Sequence, residues 1–343
     1  MTQAPWPAAT ATGIGSMPGV DPLEAARVVA GELPVLPHLP ELPARGVGAD
    51  LVGRTVGLLV DIAVEVVPSG YRVTARPGRD HRRCVDQLRG DLDAVEEALD
   101  GLRPELFKVQ AAGPWTLASM VELQRGHRVM TDHGALREFA ESLAEGLARH
   151  VTEVAARTGA KVVVQLDEPV LPAVLAGSLP TPSGYGNVAK VHEPEAEALL
   201  RTVITTAAEA SGQPVVVHCC ADRPPVTVLR RAGAGAIAID LAPLAGAPAA
   251  LWDELGEAWQ DGVPLWLGVV PGVDPGKPVT LREAAQPAFA LADRLGFDRA
   301  KLPALAVPTP GCGLAGATPA WARRALALVN DVAKAFVEPP ESW

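Results

Sequence analysis

Three side chains suited to a soft metal fall in two short motifs of this 343-residue chain. In PVVVHCCADRPP, residues 215–217 read as a buried parallel strand. Side chains two apart on a strand point the same way, so His218 and Cys220 share a face while Cys219 turns from it. An imidazole nitrogen and a thiolate on one face make a two-point grip for zinc, which takes nitrogen and sulfur donors in tetrahedral geometry. The bland alternative is a packed core pair. Cys312, in VPTPGCGLAG, adds a third soft donor, and Gly311 and Gly313 permit a tight turn that presents its thiol. Without the metal it is simply an exposed thiol. Asp240, which ends the run AGAIAID, is either a fourth ligand that leaves when a substrate thiol arrives or a helix N-cap. Zinc strips the proton from a coordinated thiol whose free pKa is near ~8.5, and the thiolate is the nucleophile.

A second group of polar residues suits a small zwitterion. In KVVVQLDEPVL, Gln165 and Asp167 share a face, and an acid beside a hydrogen-bond donor suits a substrate ammonium; a structural ion pair is the alternative. Glu41, among the prolines of LPHLPELPARG, either adds a second negative charge for the ammonium or pairs with Arg45. TGIGSMPG places small residues in a turn that opens onto a helix at Asp21, so the amides near Gly15 and the Ser16 hydroxyl offer an anion site. It is not G-x-G-x-x-G, and no dinucleotide site is read. Trp115 in VQAAGPWTLA either lines a pocket or packs in the core.

These residues need a scaffold that brings distant segments together. Short β-branched runs at 10–14, 33–37, 106–111, 161–166, 214–218, 236–240, 264–270 and 302–307 alternate with amphipathic stretches at 136–158, 194–211, 248–260, 281–295 and 319–336. Eight such units predict a (β/α)₈ TIM-type barrel, with residues 1–343 as a single domain. The stretch 48–102 is long for one crossover and predicts two helices with a hairpin around 66–75. The first ten and last six residues read as loose ends. In a barrel the carboxyl ends of all the strands meet at one face, where Gly15, Ser16, Gln110, Gln165, Asp167, His218, Cys220 and Asp240 fall, with Cys312 beyond the last strand.

Composition agrees and excludes some partners. Hydrophobic residues make up 48 % but aromatics only 4 %, so Ala, Val and Leu must build the core. A formal charge of −10 disfavours nucleic acid and anionic membrane surfaces. No run approaches the ~20 apolar residues of a membrane span and no secretory start is seen, which predicts a cytoplasmic protein. Four cysteines are too few to staple a chain this long and predict thiol chemistry in a reducing compartment.

Taken together, TGIGSMPG, VQAAGPWTLA, VVVQLDEPVL, VVVHCCA and VPTPGCGLAG resemble the carboxyl-terminal catalytic barrel of cobalamin-independent methionine synthase, whose relatives share a fold with uroporphyrinogen decarboxylase. The likeness runs in order from about Thr12 to Gly316. It implies that His218, Cys220 and Cys312 hold a zinc ion (Zn2+) that binds the sulfur of homocysteine, with the shorter Asp240 where the family has glutamate. It further implies Asp167 for the substrate amino group, Glu41 as a second acidic contact, and Ile14, Gly15 and Ser16 for the carboxylate. The implied activity is S-methyl transfer that makes methionine.

Two departures stand out. The family carries a histidine after strand seven, in Gly-Val-x-Asp-x-His, that passes a proton to the departing donor; LGVVPGVDPGKP has none, and Asp274 is the candidate in its place. Full-length plant and enterobacterial members also carry an amino-terminal barrel that helps bind polyglutamylated folate. The chain resembles the short single-barrel class, for which the methyl donor is a folate or a corrinoid. A corrinoid leaves without protonation, which matches the missing histidine. The alternatives are another small thiol as acceptor, or a zinc-binding homologue without turnover. A tetrapyrrole decarboxylase would need arginines near the N-terminus for substrate carboxylates, and none precedes Arg27.

Overall fold

The computed structural model describes residues 6–181 and 184–338. In chain order the strands are β1 (Ala63–Val67), β2 (Gly70–Thr74), β3 (Leu106–Ala112), β4 (Val121–Glu122), β5 (Lys161–Asp167), β6 (Val216–His218), β7 (Ala236–Asp240), β8 (Leu265–Val270) and β9 (Ala306–Pro310). The last six long ones form a parallel sheet in the order β3-β5-β6-β7-β8-β9, and β1, β2 and β4 form a small separate sheet. Hairpin β1–β2 is antiparallel and is flanked by helices Leu51–Val56 and Arg79–Ala98, as the long crossover predicted.

Crossover helices cover the parallel sheet because each carries an apolar stripe. On His133–Thr158, Leu143, Leu147, Val151 and Val154 recur at spacings of three and four and are almost wholly buried, contributing roughly 1.5–3 kcal/mol each. Asp132 caps that helix by accepting from the N–H groups of Gly134 and Ala135, and Gly159 ends it with a left-handed φ of 70°. Glu193–Ser211, Ala249–Gln260, Leu281–Leu295 and Pro319–Val337 lie close to the predicted spans. Among the described residues no helix is long and apolar enough to cross a membrane.

The first two predicted strands differ. Segments 10–14 and 33–37 form no ladder; single backbone contacts take its place. Thr12 N–H meets Pro308 O at 3.4 Å, Glu41 N–H donates to Gly15 O at 3.1 Å, Met17 N–H to Glu41 O at 2.8 Å, Lys108 N–H to Pro37 O at 2.8 Å and Leu39 N–H to Lys108 O at 2.9 Å. Pro34, Pro37, Pro40 and Pro43 supply no N–H, so a continuous ladder cannot form there. The architecture shown is therefore α/β with a curled parallel six-stranded sheet. The segment 302–307 also begins as a helical turn, Leu302–Leu305, because Asp298 caps the preceding turn at Ala300 and starts helix there; the strand follows at Ala306–Pro310.

Inside the curl, Leu36, Leu106, Val163, Val216, Ala236, Ala238, Trp266 and Val307 form a core of their own with Trp6. The Trp6 and Trp266 rings meet edge-on with centroids 5.1 Å apart, so Trp6, like Thr10, is buried rather than loose, while Pro7 and Ala8 between them are exposed. Residues 1–5 and 339–343 of the predicted loose ends lie outside the described residues.

His150, on the helix His133–Thr158, is buried, and burial together with the nearby Arg54 charge pulls its pKa down to about 4. The unfolded chain binds a proton near pH 6.5 that the folded one refuses, so stability is complete above that pH and declines as pH falls towards 4. His150→Gln should be about 3 kcal/mol less acid-sensitive than the parent over this window, measured by urea unfolding at pH 7 and pH 4. Equal pH dependence in both proteins would refute the assignment.

Candidate metal and substrate site

Strand β6 ends at His218, and Cys219 N–H continues its ladder to Ala238 O at 3.0 Å, which keeps the alternation running one step past the strand. Cys219 is wholly buried in the core, and burial pushes its thiol up to about 12. His218 and Cys220 face the other way. The turn after β9 brings Cys312 to them, and one donor atom from each of the three lies within 4.8 Å of the others. Gly311 and Gly313 earn their place by close approach rather than by a left-handed backbone, for neither has positive φ. A Cβ on Gly311 would stand 2.8 Å from the Asp240 carboxylate, and one on Gly313 would strike Ser16 Oγ.

Proton placement follows from the neighbours. Asp167 Oδ1 lies 2.7 Å from His218 Nδ1, and Nε2 is buried with no hydrogen-bond partner among the described residues. Burial lowers the His218 pKa, but the Asp167 carboxylate and the Cys312 sulfur outweigh it and hold the ring at about 9. The hydrogen bond from Cys220 and the neighbouring His218 hold the Cys312 thiol well below its usual range, and that same bond pushes Cys220 up. A buried imidazole nitrogen without a partner beside two sulfurs is a donor set that fits zinc and satisfies an otherwise orphaned atom.

These groups open into a cleft of about 230 Å³ lined also by Ile14, Gly15, Ser16, Glu41, Asp167 and Pro169. Gln165 sits behind it, donating from Nε2 to Asp167 Oδ1 at 2.8 Å and to Ile14 O at 2.9 Å. Glu41 is buried, and its partner is Arg54, 3.7 Å away, whereas Arg45 pairs with Asp91. Burial raises Glu41 to about 7 despite Arg54, and the charge of Asp167 adds to the rise. Asp240 accepts from Ala242 N–H at 3.0 Å and lies outside the three-residue cluster; burial raises its pKa and the Cys312 charge adds to this. Asp274 is exposed on the loop after β8, where it accepts from Gly276 N–H at 2.9 Å. Trp115 is wholly buried in the core, donating to Ala196 O.

Two residues of this network, Lys108 and Arg54, were not singled out from sequence. Lys108 is wholly buried beneath the cleft; its parity with Gln110 in LFKVQAA was the one available signal. Arg54 gave none. Glu168 anchors the helix Pro114–Met120, accepting from Trp115 N–H at 2.9 Å, Thr116 N–H at 2.8 Å and the Thr116 hydroxyl at 2.7 Å. Gly113 gives that carboxylate room, since a Cβ there would lie 2.3 Å from Glu168 Oε1. Gly113→Ala should cost about 2–3 kcal/mol of stability by displacing this anchor, whereas the same change at open Gly90 should be neutral or mildly stabilising. Thermal unfolding of the two variants side by side checks this.

The sequence matches, over residues 8–335, the family described as the catalytic domain of cobalamin-independent synthase. Its structure is similar to that of a B12-independent methionine synthase from Shewanella sp. W3-18-1 in complex with selenomethionine, at 12 % identity and a TM-score of 0.59, covering 95 % of this chain and 97 % of that one. A methyltransferase from Methanosarcina mazei is similar at 17 % identity and a TM-score of 0.56, covering 98 % and 94 %. No curated protein matches the sequence. At such identities the two structures speak for the fold, and the family match carries the assignment: the chain belongs to the family of cobalamin-independent synthase catalytic domains.

Proposed function

We propose that the protein is a zinc-dependent S-methyltransferase that converts homocysteine to methionine, working as a single (β/α)₈ barrel in which segments 10–17 and 36–41 complete the circle between β9 and β3. The observation that carries this reading is the buried His218 Nε2, oriented by Asp167 and left without a partner beside Cys220 and Cys312. Those three residues would hold the metal, with Asp240, across Gly311, as the fourth ligand. When bound, zinc deprotonates a coordinated thiol at neutral pH.

The chain's own residues supply the positioning. Asp167 and Glu41 attract the substrate ammonium, and the amides and hydroxyl at Ile14, Gly15 and Ser16 take the carboxylate, so the sulfur is directed towards the incoming methyl group. The sulfur forms its bond to the methyl carbon as the bond to the donor breaks, and the electron pair leaves with the donor. A corrinoid needs no acid for this. A folate does, and Asp274 serves if its loop folds inward, since the loop's base already flanks Cys312 at Gly272. The selenomethionine named with the Shewanella structure supports an amino acid of this class as ligand.

The test is calorimetry of the zinc-loaded protein with homocysteine, followed by turnover with methylcobalamin and a methyl-folate side by side. Binding with release of about one proton and methionine from one donor are expected. Absence of both heat and proton release would sink the proposal, and binding without turnover from either donor would leave a homologue that holds zinc but does not transfer methyl groups.

A further inference from the structure

Lys108 is fully buried at the centre of the polar network under the cleft. Its Nζ donates to Gln165 Oε1 at 2.7 Å, to Ile14 O at 2.8 Å and to Gln110 Oε1 at 3.3 Å. Burial drags its pKa down to about 7, against the pull of the Asp167 and Glu41 carboxylates. Hiding an ammonium costs several kcal/mol before compensation, and an apolar side chain of this length would often serve stability as well. The charge therefore calls for a use, and the three acceptors show which.

We propose that Lys108 is a positioning residue for amino-acid recognition: one buried ammonium ties the segment carrying Ile14, Gly15 and Ser16 to the side chain that orients Asp167, and so sets the spacing between the two ends of the zwitterion site. Nζ donates to each of its three oxygen partners, so the Gln165 carbonyl faces Lys108. The Gln165 amide nitrogen is thereby committed to Asp167 Oδ1 and to Ile14 O, the same carbonyl that Lys108 holds. Asp167 Oδ1 is then filled by Gln165 and His218, which leaves Oδ2 for the ligand. Both ends of the site hang from a single atom of the Lys108 side chain, whereas the metal cluster meets this chain of contacts through His218 at Asp167 Oδ1. This inference rests on homocysteine being the ligand.

The test compares homocysteine with propane-1-thiol, which offers the sulfur alone, on the zinc-loaded protein by calorimetry. Lys108→Met should weaken homocysteine on the order of tenfold or more while propane-1-thiol stays within about twofold and zinc content is unchanged. Gln165→Leu should lose in the same sense, and the double variant should be little worse than the poorer single, because both act through one chain of contacts. Should Lys108→Met not fold, Gln165→Leu alone decides. Equal weakening of both thiols, or undiminished homocysteine binding, would overturn the proposal. A parent protein that prefers neither thiol would instead remove the homocysteine reading, a result obtained before any variant is made.

Discussion

Cys220→Ser and Cys312→Ser should each lower zinc affinity by about 10²–10³-fold while leaving the secondary structure intact. Structural zinc in zinc-finger peptides gains ~10–16 kcal/mol in apparent binding energy, so one of four ligands carries about 2.5–4 kcal/mol. Serine offers a hard, weakly acidic hydroxyl in place of a thiolate and recovers little of this. Both sulfurs are only partly buried, so no core packing is lost with them. Cys219 is the internal contrast: wholly buried and turned into the core, it should tolerate Cys219→Ser with the metal retained and stability reduced. Competition against a chromophoric chelator, with far-UV circular dichroism of each variant, separates the cases. If Cys312→Ser binds zinc as tightly as the parent, the three-residue cluster is not the metal site.

Asp167→Asn carries the second large effect, because one carboxylate serves two ends of the site. Its Oδ1 accepts from His218 Nδ1 and from Gln165 Nε2, and the side chain also lines the cleft. Asparagine keeps an acceptor at that position, so the imidazole stays oriented and zinc affinity should fall only about tenfold. The charge that attracts an ammonium is gone, however, and Glu41, with its pKa raised to about 7, is a half-protonated substitute at neutral pH. A fall in kcat/KM for homocysteine of about 10²-fold is expected, roughly twice the free-energy loss expected for zinc. A thiol without an amino group should lose no more than the zinc effect. If homocysteine and that thiol suffer alike, Asp167 acts on the metal alone and the ammonium assignment fails.

Legibility followed the range of the interaction. The facing of His218 and Cys220 away from Cys219, and of Gln165 with Asp167, follows from the two-residue period of a strand, which depends on nothing beyond the neighbouring residues. The helix at Asp21 was equally local, since the Asp21 carboxylate accepts from the Leu23 and Glu24 amides. The strand at 302–307 was misplaced because apolar β-type residues cannot be told from a capped helical turn by hydrophobicity alone.

Partner choice is where local reasoning ended. Glu41 was offered Arg45, four residues away, yet Arg54 is the cation beside it at 3.7 Å, and Arg45 and Arg54 both pair with Asp91, because the helix Leu51–Val56 carries Arg54 under the cleft. The segments 10–14 and 33–37 read as strands from their apolar residues, but the prolines of the second leave only isolated contacts there, and just beyond them one such contact brings Ser16 to Glu41. Sequence by itself determined the alternation of elements, the face on which each chemical side chain lies and the family to which the chain belongs. Tertiary structure alone decided that Lys108 would reach Gln165, that Gly311 must yield room to Asp240, and that the sulfurs of Cys220 and Cys312, 92 residues apart, would reach one imidazole. Backbone periodicity is a property of consecutive residues, whereas the pairing of buried charges depends on which elements share an interior, and only the curled sheet with its covering helices settles that.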